Sequence, residues 1–244
     1  MELKDKVALV TGSAGRGMGR SIALTLAREG AKVAVNYRKS KEQAQAVVDQ
    51  IKSHAGSAIA VQADVFKADE CSHLVNETIE HFGQVDVCLV NPGAGWHPEP
   101  VDKLDSAAAI EDVRREVAPF LNMMPLVLPQ MYKRKWGRVI GIALLPPYDS
   151  PAYSYNVGKA ARVHAMLKAR DQAWCNGVTI NVIAPGPVPA IESLSEAIEL
   201  CDHGPAWQKR PNTSPQDIAE SVAFLCSDAG RFVTGCVLPF LFNS

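Results

Sequence analysis

At 244 residues, with 25 Lys and Arg against 26 Asp and Glu, the chain has the size of one large α/β domain and no charge excess to attract nucleic acid or a membrane surface. The six cysteines (Cys71, Cys88, Cys175, Cys201, Cys226, Cys236) show no Cys-x-x-Cys spacing, which argues against a zinc site or a disulfide framework and for a reducing compartment. No apolar run approaches the roughly 20 residues of a membrane span, and the opening MELKDKVALVTGS lacks the length and cleavage site of a signal peptide. A cytoplasmic location, a small-molecule ligand and no metal centre are expected.

Short apolar runs alternate with longer amphipathic ones: VALV at 7–10, KVAVNY at 32–37, AIAVQ at 58–62, VDVCLV at 85–90, RVIGIALL at 138–145 and VTINVIA at 178–184. Strands buried on both faces read this way. Between them lie helical segments such as GRSIALTLAREG, closed by Gly30, and SKEQAQAVVDQIKSHAG. The alternation predicts a single domain over 1–244, a doubly wound parallel α/β sheet of about seven strands with helices on both faces. A helix starting near Ser106 or Ile110 is expected to kink or break at Pro119, Pro125 and Pro129. Residues 189–210, within a proline-rich stretch, read as an amphipathic cover for a substrate pocket. The tail GCVLPFLFNS reads as a last edge strand that tolerates Pro239.

Straight after the first strand comes TGSAGRGMGRSIA, with Gly12, Gly15, Gly17 and Gly19 leading into a helix. Glycines let a backbone turn tightly and approach a pyrophosphate, and the free N–H groups of a helix start bind the anion. A flexible strand-to-helix loop is the plainer alternative. An acid at the end of the second strand commonly holds a ribose 2′-hydroxyl, but here the strand ends NYRKS, with Asn36, Arg38 and Lys39. That positive charge suits a 2′-phosphate, with Arg16 in the loop as a second cation, so NADP(H) is expected over NAD(H).

In YSYNVGK, Tyr155 and Lys159 stand four apart, on one face if the stretch is helical. They are either a proton donor beside a positive charge or an amphipathic pair at a helix edge. Tyr153 has no such partner.

These motifs, with LVNPGAG at 89–95, INVIAPGPV at 180–188 and PQDIAESVAFLCSDAGRFVTG near the end, resemble the short-chain dehydrogenase/reductase family in order and over nearly the whole chain, and most of all its 3-oxoacyl-carrier-protein reductase type. The resemblance implies a Rossmann domain, NADP(H)- or NAD(H)-dependent interconversion of a carbonyl and an alcohol, and a homodimer or homotetramer. It implies Tyr155 as proton donor and Lys159 as ribose ligand and tuner of the tyrosine, with Tyr153 a wall residue. Cofactor contacts fall to Gly12, Ser13, Arg16, Gly17, Met18 and Gly19 of the turn and to Asn36 and Arg38. Asp64 and Val65 would meet the adenine; Asn91, Gly93, Lys159, Pro185, Gly186 and Val188 would line the rest of the cleft.

One departure is large. The family's catalytic serine falls on Leu144, preceded by Ala143, and no Ser or Thr occurs from Ala107 to Asp149. The family's helix asparagine falls on Glu116, where its role would rest largely on the main-chain carbonyl. The glycine turn is one residue longer than the reductase pattern. Tyr148 and Ser150 are alternative donors to a substrate oxygen, or solvated loop hydroxyls. His97 faces the expected pocket; Trp96 and Trp207 are candidate apolar walls. An oxidoreductase and a nucleotide-binding protein without turnover both remain open on these residues.

Overall fold

The computed structural model describes residues 3–144, 152–204 and 213–240. Seven strands form one sheet in the order β3-β2-β1-β4-β5-β6-β7: β1 Val7–Val10, β2 Lys32–Tyr37, β3 Ala58–Gln62, β4 Val87–Val90, β5 Gly137–Ile142, β6 Val178–Ala184 and β7 Val237–Pro239. Every pairing is parallel. Parallel neighbours require crossovers, which the helices supply: α1 Met18–Arg28, α2 Lys41–Ser53, α3 Ala68–Phe82, α4 Ser106–Arg134, α5 Tyr153–Lys168, α6 Arg170–Trp174, α7 Leu194–His203 and α8 Pro215–Cys226. β7 is the edge strand the tail predicts, and Pro239 closes it opposite Ala184, where no ladder N–H is lost.

Alternation along each strand feeds two cores. Ala8, Val10, Val33 and Val35 face the layer of α1, α2 and α8, while Leu9 and Ala34 face α3 and α4. A strand buried on both faces has no polar period, which is why the sequence shows continuous apolar runs. The strand order reverses between β1 and β4, and both adjoining crossovers leave a crevice at the C-terminal strand ends.

α4 corrects half of one expectation, the interruption at the prolines. It runs unbroken for 29 residues through Pro119, Pro125 and Pro129. Each proline lacks the N–H that would bond four residues back, but burial offsets the loss: Phe120, Met123, Met124, Val127 and Met131 all pack into the sheet's lower core. Asp105 caps the start, accepting from the Ala107 and Ala108 N–H groups at 2.9 and 3.0 Å. Ile110 and Leu121 of α4 and Tyr153 and Val157 of α5 stay exposed.

Of the expected cover, residues 205–210 lie outside the described residues, as does Trp207. Its helix α7 is docked. Arg20 donates to the Ile191 and Ser193 carbonyls at 2.5 and 3.0 Å, Arg28 to the Cys201 carbonyl at 2.6 Å, and Ala197 and Cys201 are buried.

If α4 is held by its buried face, Met123→Ala destabilises the protein by about 2–5 kcal/mol through the cavity it leaves. A urea midpoint within error of the parent's would contradict that account.

Candidate active site

The glycine turn is set by close backbone approach. Gly12 has φ +61°, and a Cβ on Gly19 would lie 2.4 Å from the Gly12 carbonyl oxygen. Only glycine fits there. Gly15 and Gly17 face open space, and Gly17 caps α1 without a side-chain bond, so the first N–H groups of the helix have no side-chain acceptor at that cap. Met18 opens α1, packed in part against the upper core. Ser13 is buried and donates to the Val10 carbonyl at 2.8 Å. A cradle of bare backbone at a helix start fits a pyrophosphate, and this one therefore fits a dinucleotide cofactor.

Asn36 is not open to a ligand. It is 2 % exposed; its carbonyl oxygen accepts from the Gly12 N–H at 3.0 Å and its amide donates to the Ala63 carbonyl at 3.0 Å and the Val61 carbonyl at 3.3 Å. It shapes the turn. Arg38 is exposed at the end of β2, its guanidinium in no ion pair among the described residues. Arg16, the expected second cation, is paired with Glu192. It lies against the segment before α7, where its carbonyl also accepts from the Ile191 N–H at 2.9 Å. A cavity of about 370 Å³ lies between the turn and α2, lined by Gly15, Arg16, Arg20, Ser40, Gln43 and Glu192.

Further along the crevice, Asp64 caps the turn after β3 by accepting from the Phe66 N–H at 3.2 Å, and the Val65 carbonyl accepts from Asn122 at 3.1 Å. Asn91 donates to the Gly12 carbonyl at 3.4 Å and takes the Thr11 hydroxyl on its own N–H at 3.0 Å. Gly93 lies against Glu116: a Cβ there would stand 2.4 Å from Oε2. Pro185, Gly186 with φ +68°, and Val188 form the turn after β6.

Tyr155 and Lys159 do share one face of α5: the ammonium lies 5.1 Å from the centroid of the tyrosine ring. Tyr153, two residues earlier and so about 200° around the helix, points away. It lines an outward groove with Ile110, Val113 and Val157 and is not a wall of the cleft. Lys159 is buried, with Nζ 3.1 Å from Glu116 Oε2. The same oxygen lies 3.5 Å from Nη1 of the fully buried Arg162. Burial pushes the lysine down to about 8, Arg162 pushes it further the same way, and Glu116 opposes both.

Sequence reasoning missed Arg162 and expected Glu116 to act through its backbone. The signal was present: cations three apart at Lys159 and Arg162 share a helix face, and if that face is buried an acid must meet them.

Leu144 is half-buried two residues beyond β5, and Ala143 is buried. Tyr148 and Ser150 lie outside the described residues. On the other rim, Trp96 meets Tyr155 edge to face at 5.6 Å between centroids. His97 is exposed, its Nδ1 3.2 Å from Asp112 Oδ2, which also accepts from Ser154 at 3.1 Å. A bridge between Glu99 and Ala152 closes the loop after β4 onto the start of α5.

A family profile described as short chain dehydrogenase matches residues 6–195. The chain is 35% identical over 238 residues to the 3-oxoacyl-acyl-carrier-protein reductase FabG of Staphylococcus epidermidis, covering 95% of each. Among solved structures it is similar to a 7α-hydroxysteroid dehydrogenase complexed with NADH and 7-oxo glycochenodeoxycholic acid, at 30% identity and a TM-score of 0.84, covering 98% of this chain and 94% of that one. A short chain dehydrogenase from Burkholderia cenocepacia in complex with NADP is 26% identical, with a TM-score of 0.82 and 98% of each chain covered.

The two kinds of glycine in the turn separate by experiment. Gly19→Ala forces α1 off the Gly12 carbonyl and lowers the melting temperature by several degrees, while Gly17→Ala, with nothing within 4 Å, stays within about 0.5 kcal/mol of the parent. Equal melting shifts for the two would refute the close-approach account.

Proposed function

The chain belongs to the short-chain dehydrogenase family, and from that premise we propose that it is an NADP(H)-dependent oxidoreductase interconverting a small-molecule carbonyl and an alcohol. The observation that carries this reading is the buried Lys159 ammonium beside the Tyr155 ring, in the crevice that begins at the glycine turn. Bound in that crevice, a nicotinamide cofactor supplies or accepts the hydride. The turn from Ala14 to Met18 holds its phosphates on backbone N–H groups, whereas Ser13 is committed, its N–H to the Asn36 carbonyl and its hydroxyl to the Val10 carbonyl, and Arg38 meets the 2′-phosphate. Asp64 and Val65 border the adenine side; Asn91, Gly93, Pro185, Gly186 and Val188 border the nicotinamide side.

Tyr155 gives its phenolic proton to the carbonyl oxygen as that oxygen gains negative charge, and takes it back in the reverse direction. A tyrosine ordinarily titrates near 10, and an adjacent cation favours phenolate, so Lys159 brings the donor closer to working pH. Lys159 would also hold the ribose of the bound cofactor. Leu144 supplies no hydrogen bond to the oxygen, a loss worth about 3 kcal/mol or a factor of 10² to 10³ in rate. That substitution favours the second reading, a nucleotide-binding protein without turnover.

NADPH oxidation across ketones, β-ketoacyl thioesters and quinones tests the proposal directly. Tyr155→Phe is expected to abolish turnover and leave NADPH binding nearly intact, since only the hydroxyl is lost. Leu144→Ser is expected to raise the rate by up to about 10². NADPH binding without turnover in both the parent and Leu144→Ser would establish the second reading instead.

Cofactor preference is read by calorimetry: NADPH binds more tightly than NADH, and Arg38→Asp reduces or reverses the difference. Tighter NADH binding to the parent would overturn the NADP assignment. The outward patch of Ile110, Leu121, Tyr153 and Val157 fits a second copy of the chain, giving a homodimer or homotetramer. Ile110→Glu with Val157→Glu is expected to yield monomers by light scattering.

A further inference from the structure

Three ionisable side chains meet beneath Tyr155 with almost no access to water. Lys159 Nζ and Arg162 Nη1 approach the same carboxylate oxygen, Glu116 Oε2, at 3.1 and 3.5 Å. Glu116 and Arg162 are fully buried, and Glu116 Oε1 and Arg162 Nε have no hydrogen-bond partner. Backbone closes over the group: a Cβ on Gly93 would clash with both carboxylate oxygens, and one on Gly158 would lie 2.8 Å from Glu116 Cβ. Arg162 further donates to the Ile142 carbonyl, the last of β5, at 3.0 Å and to the Pro92 carbonyl just after β4. One guanidinium therefore ties together the ends of β4 and β5, the helix that carries Tyr155, and the only acid that faces the lysine among the described residues.

We propose that Arg162 is a positioning residue for Lys159, acting through the shared Glu116 carboxylate: together the pair fixes the ammonium under Tyr155 and sets how much positive charge the site presents. A buried cation beside a lysine repels its charge, and a buried carboxylate attracts it. Without Glu116 two buried cations would stand uncompensated, which is strongly destabilising, while without Arg162 the carboxylate would pair with Lys159 alone, so each residue acts on the lysine through the other. The claim that this charge acts on catalysis rests on the reading of Lys159 in the preceding subsection; the electrostatic claim does not.

The electrostatic claim can be measured without cofactor. Lys159 titrates at about 8 in the folded chain, below its ordinary 10.5. Between those values the unfolded chain binds more protons than the folded one, so stability rises with pH across that window, and below pH 8 the full cost of the buried ammonium is present. The groups facing Lys159 are Glu116 from α4 and Arg162 and Tyr155 from α5.

Arg162→Met removes a repelling charge, so the window should shrink from its lower end, the onset moving up by on the order of one pH unit. Glu116→Gln removes the attracting charge, so the onset should move down by a similar amount. Melting temperature against pH from 6 to 10.5, as a difference from the parent, reads both. A role in packing alone lowers the curve uniformly, and parallel curves for both variants would overturn the proposal. Should either variant fail to fold, Arg162→Lys and Glu116→Asp take their place: the first keeps the charge and should leave the onset unmoved, the second withdraws the carboxylate and should lower it. An onset for Glu116→Asp identical to the parent's would equally overturn the proposal. NADPH affinity by fluorescence titration over the same range should lose strength at a higher pH in Arg162→Met and at a lower one in Glu116→Gln. If the stability curves shift as stated and the affinity curves do not, the pair positions Lys159 but the assignment of Lys159 to the cofactor falls.

Discussion

Where the strand order of a parallel sheet reverses, two neighbouring strands send their chains to opposite faces, and backbone groups at their ends lose ladder partners. The crevice of this protein depends on how those groups are satisfied. The Thr11 hydroxyl donates to the Leu89 carbonyl at 2.8 Å and accepts from the Asn91 N–H at 3.0 Å, stitching β1 to β4 across the reversal. Asn36 performs the same service on the other side, joining the Gly12 N–H to the end of β3. Gly12 and Ser13 donate to Asn36, and beyond them the N–H groups from Ala14 to Gly17 have no hydrogen-bond acceptor among the described residues. A crevice able to take a ligand is therefore a consequence of short polar side chains placed one or two residues past the last apolar one.

The second constraint is electrostatic. A lysine under a tyrosine must be buried to act on it strongly and must keep a counter-charge to remain there. This chain meets both demands with charged side chains: Glu116 supplies the counter-charge and Arg162 keeps that carboxylate from being claimed by the lysine alone. The arrangement also explains two glycines that have no role in turning the chain. Gly93 and Gly158 lie against Glu116, and a methyl group at either would displace the carboxylate.

The architecture was legible because burial on both faces leaves an unmistakable run of apolar residues, and because the glycine turn can follow only a strand and precede only a helix. That Tyr155 and Lys159 share a helix face was legible from their spacing, while a role for them came only from the resemblance. The path of α4 was not, because the count of prolines says nothing about the apolar area that compensates for them. Nor was Asn36: the polar residue at the end of β2 reads as a ligand group in one dimension, and only the packing of three strand ends reveals that its amide is already committed. Arg16 is a further case, since its pairing with Glu192, 176 residues away, is visible only in the folded chain.

If Tyr155 is the proton donor proposed above, Leu144 and the buried charges beneath it act on the same proton in opposite ways. Losing a hydroxyl removes a donor that would have shared the developing negative charge on a substrate oxygen, and the proton of Tyr155 must then carry more of the stabilisation. An apolar side chain at the mouth also excludes water, and Coulomb interactions strengthen as the local dielectric falls, so the field of Lys159 on the phenol is felt more fully. A site that has fewer neutral donors thus depends more heavily on the correct charge state of its lysine. In this chain the surroundings of that lysine are one carboxylate oxygen shared between an ammonium and a guanidinium, so under the proposed mechanism control of the proton would lie in buried residues beneath Tyr155.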